Sequence, residues 1–239
     1  MIVAQEIFKR VEEKYVLSRA QYVRLMGRLE DRIALDPYGR HTIRNIYFDT
    51  PDFRLIRASI DATVYKEKLR LRAYGRVGDD DMVFLELKKK YKGIVYKRRA
   101  AMTLSEAGDR LAGRGARDGQ ILREIDYFTN LYKPLLPRIF LAYERCAYVF
   151  PGEPDMRLTF DENVRARTTD VRLDGGDAGQ AILAPGEVVM ELKIPGAIPL
   201  WLTRTLAELG IYSRSFSKVG SYYKARISGG TERIERLYA

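Results

Sequence analysis

Residues 64–99 read VYKEKLRLRAYGRVGDDDMVFLELKKKYKGIVYKRR, and their charges fall on alternate positions instead of in a block. Lys66, Lys68, Arg70, Arg72 and Tyr74 share one parity; Glu67, Leu69, Leu71 and Ala73 share the other. Strand side chains alternate between faces with a period of two, so Lys68, Arg70 and Arg72 project from the same side of a sheet. Phe84, Glu86, Lys88 and Lys90, set against Val83, Leu85 and Leu87, repeat the pattern after a connection at residues 75–81. A tight turn at residues 91–93 leads into a third strand that carries Lys97, Arg98 and Arg99. The stretch therefore predicts neighbouring antiparallel strands with one mainly cationic and one mainly apolar face. Taken alone, it leaves two readings open: a solvated sheet face, or a face that receives an anionic ligand.

Other segments carry the same signature. Residues 7–17 predict a first strand with Arg10, Glu12 and Lys14 on one parity. Further strands are expected at 44–49, 138–150, 156–161 and 187–194, the last placing Val189, Glu191 and Lys193 together. Ser18 and Gln21 have the form of a capping box ahead of Tyr22, Leu25, Met26 and Leu29 at helical spacing. Shorter helices are expected at 53–62, over an interrupted 105–130, at 201–209 and past Ser217, with a loop at 168–185. These helices could cover only part of such a sheet. The alternative is closure into a barrel with a polar interior. The expected class is thus α+β, an antiparallel β-barrel with peripheral helices, in one domain over residues 1–228 with a tail at 229–239.

Composition narrows the chemistry. Forty-two Lys and Arg against 32 Asp and Glu give a net charge of +10, which favours an anionic partner: polyphosphate, nucleotide, nucleic acid or an acidic membrane surface. One cysteine, Cys146, excludes an internal disulfide, and one histidine, His41, leaves His-rich metal sites and Ser-His-Asp or Cys-His catalysis little to stand on. The sequence has no signal-peptide apolar region and no apolar run of membrane-spanning length, so a cytoplasmic protein is expected. Asp79, Asp80 and Asp81 read as a solvated turn. Glu86 reads as the counter-ion of neighbouring bases in preference to a second metal ligand.

Nine motifs in order, RVEEKY, NIYFDTPD, KLRLRAYG, FLELKKK, YKRR, YERCAYV, RLTFD, VVMELKIP and SFSKV, run from about residue 6 to residue 226. Together they resemble the polyphosphate polymerase domain of the vacuolar transporter chaperone (VTC) family, within the triphosphate tunnel metalloenzyme or CYTH-like superfamily. The resemblance implies an ATP-dependent enzyme that moves the γ-phosphoryl group onto a growing polyphosphate inside a basic tunnel. It implies that Lys14, Lys88, Lys97, Arg145, Arg157 and Lys218 are tunnel bases and that Arg70 and Arg72, with Lys88, hold ATP phosphates. It implies that Glu191 holds a divalent metal, Mn²⁺ or Mg²⁺. Its partners would be ATP and polyphosphate, with no nucleic acid and with a membrane-protein partner left open, since the chain has neither the phosphate-sensing nor the membrane segments of eukaryotic members. Hydrolytic members of the superfamily begin with E-x-E-x-K, whereas this chain has Arg10 before Glu12 and Lys14. Exchanging an acid for a base weakens a metal site there and strengthens polyanion binding, which favours polymerase over triphosphatase. A non-catalytic binder of polyphosphate or nucleic acid is the rival from another class.

Overall fold

The computed structural model describes residues 11–61, 63–92, 94–115 and 119–225. Nine strands and six helices lie among them: β1 (Val11–Leu17), α1 (Arg19–Leu29), β2 (Ala34–Asp49), α2 (Arg54–Ile60), β3 (Tyr65–Tyr74), β4 (Met82–Tyr91), β5 (Ile94–Thr103), α3 (Leu104–Leu111), α4 (Gln120–Leu131), β6 (Leu136–Phe150), β7 (Glu153–Arg167), β8 (Gln180–Ala181), β9 (Val188–Ile194), α5 (Leu200–Glu208) and α6 (Lys218–Tyr223). The chain is α+β, and the strand registers are antiparallel. Pairing follows the order β1-β9-β7-β6-β2-β3-β4-β5, with β8 on β7. This order is a path with two ends; a fully hydrogen-bonded barrel would give a cycle.

The described residues divide into two units. One lies within Met1–His41, Glu144–Glu162 and Leu183–Phe216, the other within Thr42–Tyr143, Asn163–Ile182 and Ser217–Ala239. In the second, β2 to β5 form an antiparallel run in which Arg70 stands between Tyr47 and Glu86. Leu69, Leu71, Val83, Leu85 and Leu87 bury one face of it in a core with Ala107 of α3 and with Ile125 and Phe128 of α4. Parity then forces Lys68, Arg70, Arg72, Glu86, Lys88 and Lys97 onto the opposite face.

β2 ends in a local device that explains the motif YFDTPD. The Asp49 carboxylate accepts the N–H groups of Thr50 and Leu55 at 2.8 Å on one oxygen and that of Ile56 at 2.9 Å on the other. It thereby supplies partners to the first donors of α2, which has no cap from its own N-cap residue, Phe53 in a left-handed conformation. Burial pushes the Asp49 carboxyl up despite these donors.

The first unit has its own core. Tyr15, Leu17, Leu158, Phe160, Val188, Met190 and Leu192 pack with Leu25 and Leu29 of α1 and Leu202 and Leu206 of α5. Ser18 caps α1 as expected, with both halves of the capping box formed with Gln21. The opposite parity here carries Glu12, Lys14, Arg157, Thr159, Asp161, Glu191 and Lys193. Arg10 and residues 7–9 of the expected first strand, like the tail at 229–239, lie outside the described residues.

Candidate active site

A solvated sheet face leaves its charges wet. The centre of the face bearing Arg70 does not: Glu86 is 1 % exposed and Arg72 is 7 % exposed, while Lys88, Lys97 and Arg99 around them are exposed. Register brings Arg70, Glu86 and Arg99 into one row across β3, β4 and β5. Arg70 approaches Glu86 Oε2 through Nε at 2.7 Å and Nη2 at 2.6 Å, while Lys97 Nζ and Arg99 Nε reach Oε1 at 2.7 and 2.9 Å. Arg72 Nε stands 4.0 Å from Oε2. Four cations thus converge on one buried carboxylate, which is the geometry of a counter-ion within a cationic cluster. Burial would raise the Glu86 carboxyl, but Arg70, Arg72 and Lys97 outweigh it and hold it at about 2.

The strand alongside orients the two arginines. Asn45 is in register with Arg72 and Tyr47 with Arg70. Arg72 donates through Nε to Asn45 Oδ1 at 2.9 Å and through Nη2 to the Tyr143 hydroxyl at 3.2 Å; Arg70 donates through Nη1 to the Tyr47 hydroxyl at 3.2 Å. Sequence reasoning assigned no role to Asn45, Tyr47 or Tyr143. The parity of RNIYFD, with Asn45 and Tyr47 alternating like the arginines they face, was the available signal. Burial alone would raise the Tyr47 phenol, yet the charges of Arg70, Lys68 and Arg72 pull it down to about 8. A spectrophotometric titration is accordingly expected to show one tyrosine ionising near pH 8, absent in Tyr47→Phe. If both proteins titrate alike, the cations do not act on this phenol.

Lys88 lies one row along, between Lys68 and Lys97 in register. Lys218 opens α6 with its ammonium 5.0 Å from the centre of the Tyr143 ring, and Lys68 Nζ lies 3.5 Å from Ser217 Oγ. This unit therefore gathers Arg70, Arg72 and Lys97 around Glu86, sets Lys88 beside them, and joins Lys218 to Arg72 through Tyr143.

The remaining expected residues sit in the other unit. Arg145 holds both oxygens of Asp161, at 2.6 and 2.7 Å, and reaches Glu191 Oε2 at 3.1 Å. Register places Glu191 between Lys14 and Thr159. Lys14 pairs with Glu12 at 3.1 Å, and Arg157 with Asp36 at 2.8 Å, a partner the sequence reading did not identify. No group of three or more His, Cys, Asp or Glu suited to a metal occurs among the described residues, so a divalent ion here would rest on the single carboxylate of Glu191, itself bonded to Arg145. One carboxylate fits Mg²⁺ or Mn²⁺ when phosphates and water complete the shell.

A known structure shares the fold. A crystal structure of a provisional adenylate cyclase from Bacillus halodurans matches with a TM-score of 0.55 and 17 % identity, covering 87 % of this chain and 93 % of that one. Another provisional adenylate cyclase, from Vibrio parahaemolyticus, matches with a TM-score of 0.44 and 13 % identity over 89 % and 96 % of the two chains, too low to carry weight. The same holds for a chain of the Schizosaccharomyces pombe Mediator head module, at 0.43 and 11 % over 91 % and 95 %. No curated protein gives a significant match. The antiparallel sheet with its cation-bearing strands thus has the fold of the Bacillus halodurans structure. The chain belongs to the VTC domain family, whose profile matches residues 9–225.

Proposed function

We propose that the chain is an ATP-dependent polyphosphate polymerase. The observation that carries this reading is the cluster around Glu86. Phosphoryl transfer asks a protein mainly to position the phosphates and neutralise their charge, and a set of guanidinium and ammonium groups held in excess over one buried carboxylate does both. A terminal oxygen of the polyphosphate attacks the γ-phosphorus of ATP. The bond from that phosphorus to the bridging oxygen breaks, and ADP leaves with the electron pair. The nucleophile is already anionic, so the residues need not remove a proton from it. Arg70, Arg72 and Lys88 bind the ATP phosphates and Lys97 adds a point charge; Lys14, Arg145, Arg157 and Lys218 serve as further phosphate contacts. Glu191, steadied by Arg145, is the metal ligand; a divalent ion held there supplies charge neutralisation to phosphate oxygens.

Incubation of the pure protein with ATP and Mn²⁺, or Mg²⁺, is expected to give long polyphosphate chains on a gel together with ADP. Glu191→Ala is expected to remove the dependence of the rate on metal concentration along with most of the product, while an unchanged melting temperature shows that the fold is kept. Free phosphate as the sole product would replace the polymerase reading with a triphosphatase. Undiminished, metal-dependent synthesis by Glu191→Ala would remove Glu191 from the site.

A further inference from the structure

The unit that carries the Glu86 cluster exposes a second chemical surface, at the far end of the same three strands. Register sets Tyr65, Tyr91 and Ile94 in one row beside the β4–β5 turn; Val95 stands in the next row with Lys66 and Lys90, on the other face of the strands, Tyr96 follows on the face of Tyr91, and Val64 precedes Tyr65. All six are between 43 and 64 % exposed, and they make up six of the sixteen large hydrophobic side chains most exposed among the described residues. Scattered exposed apolar residues need no explanation; this concentration on one turn does. Val64 is tied into it by its carbonyl, which accepts the N–H of Lys92 at 3.2 Å, and Tyr65 meets Tyr91 edge-on at 6.4 Å between ring centres.

The exposed charges of these strand rows are lysines. Lys66 and Lys90 face each other in the next row, Lys66 half-buried with its ammonium donating to the Ser59 carbonyl at 3.3 Å, and Lys92 lies over the Tyr91 ring at 5.5 Å. The acid of these rows, Glu67, is 5 % exposed and is engaged by the Tyr132 hydroxyl at 2.8 Å and by Lys89 at 3.3 Å. It contributes little negative charge to the surface. Half-exposed tyrosines, branched aliphatic side chains and lysines around one hairpin turn match the polarity profile of a bilayer interface. There aromatic rings sit at headgroup depth, aliphatic groups reach the acyl boundary, and ammonium groups meet anionic lipid. A polyanion in solution would use the lysines but would leave Ile94, Val95 and Val64 without a role.

We propose that the β4–β5 turn docks this protein on an anionic phospholipid surface, by shallow insertion of Tyr91, Ile94 and Val95 with Lys66, Lys90 and Lys92 on the headgroups. The test is cosedimentation with phosphatidylcholine vesicles with and without phosphatidylserine, using the full chain. Binding is expected only with phosphatidylserine. It is expected to fall about fivefold per lysine replaced in Lys66→Ala, Lys90→Ala and Lys92→Ala, and to be lost in the combined Tyr91→Ser, Ile94→Ser, Val95→Thr variant at an unchanged melting temperature. Should a variant melt early, an environment-sensitive fluorophore on Lys92→Cys, in a chain carrying Cys146→Ser, reads the same event as a blue shift on vesicle addition. Equal binding to both vesicle types, binding that survives the apolar substitutions, or an absent blue shift overturns the proposal. So does a concentration-dependent dimer that these substitutions dissolve, which would assign the surface to a second copy of the chain.

Discussion

Glu86→Gln is expected to destabilise the protein by about 3–5 kcal/mol, the range for removing one partner from a buried ionic group, and to make its stability depend on added anion. The substitution leaves Arg70, Arg72, Lys97 and Arg99 converging on a neutral amide. A polyphosphate then takes over the work of the missing carboxylate, so tripolyphosphate is expected to raise the melting temperature of the variant more than that of the parent protein. An equal shift in both would mean that the anion binds elsewhere. The same group sets an acid limit. Glu86 is held at about 2, below its ordinary value of 4.5. A carboxylate depressed in this way contributes its stability above pH 4.5, and the contribution, about 3 kcal/mol, fades as the pH falls toward 2. In Glu86→Gln that part of the acid transition is expected to vanish from a pH series of denaturant melts.

Arg70→Ala is expected to lower kcat/KM for ATP in polyphosphate synthesis by about a hundredfold or more, the loss typical of removing one charge-stabilising donor. Arg70 combines a cross-strand anchor on Glu86 with a bond to Tyr47, so its guanidinium is already oriented before substrate arrives. Arg70→Lys keeps the charge without the fork and is expected to recover only part of the rate. Steady-state rates with ATP as the varied substrate provide the measurement. A change smaller than about threefold in Arg70→Ala, well under the effect of a lost charge-stabilising donor, would take the ATP phosphates away from this cluster.

The strands that carry the cluster were legible because parity and burial agree there. β3, β4 and β5 fall where alternation placed them, and Leu69, Leu85 and Leu87 lie on the buried side. The capping box at Ser18 and the short helix beyond Ser217 were equally local signals. β2 was read too short, from residue 44 instead of Ala34, because Asp36, Pro37 and Gly39 imitate a turn. Pro37 lies outside the β2·β3 register, which runs over Ile43–Phe48, so its missing N–H interrupts none of that ladder. β7 likewise extends beyond residues 156–161, to Glu153–Arg167. At the site, residue types and faces could be read from the sequence, but partners could not. Asp36 for Arg157 and Tyr143 for Arg72 are chosen by tertiary placement across long separations. The closeness of Lys97 and Arg99 to one buried acid depends on a register that period-two alternation alone leaves undetermined by multiples of two.

The pairing of β1 with β9 has a consequence for how the protein is made. Lys14 and Glu191 lie side by side in that ladder although most of the chain separates them. Forming so non-local a contact is slow, since the entropy of closing the long loop is spent before the ladder returns any of it. β3, β4 and β5, by contrast, are consecutive hairpins that can pair as soon as they leave the ribosome. The cluster around Glu86 can therefore assemble early in synthesis, and the neighbourhood of the proposed metal carboxylate is completed only after residues 188–194 have emerged. A nascent chain would thus acquire its anion-binding strands well before the ladder that contains Glu191, an order that translation arrest at successive lengths would reveal.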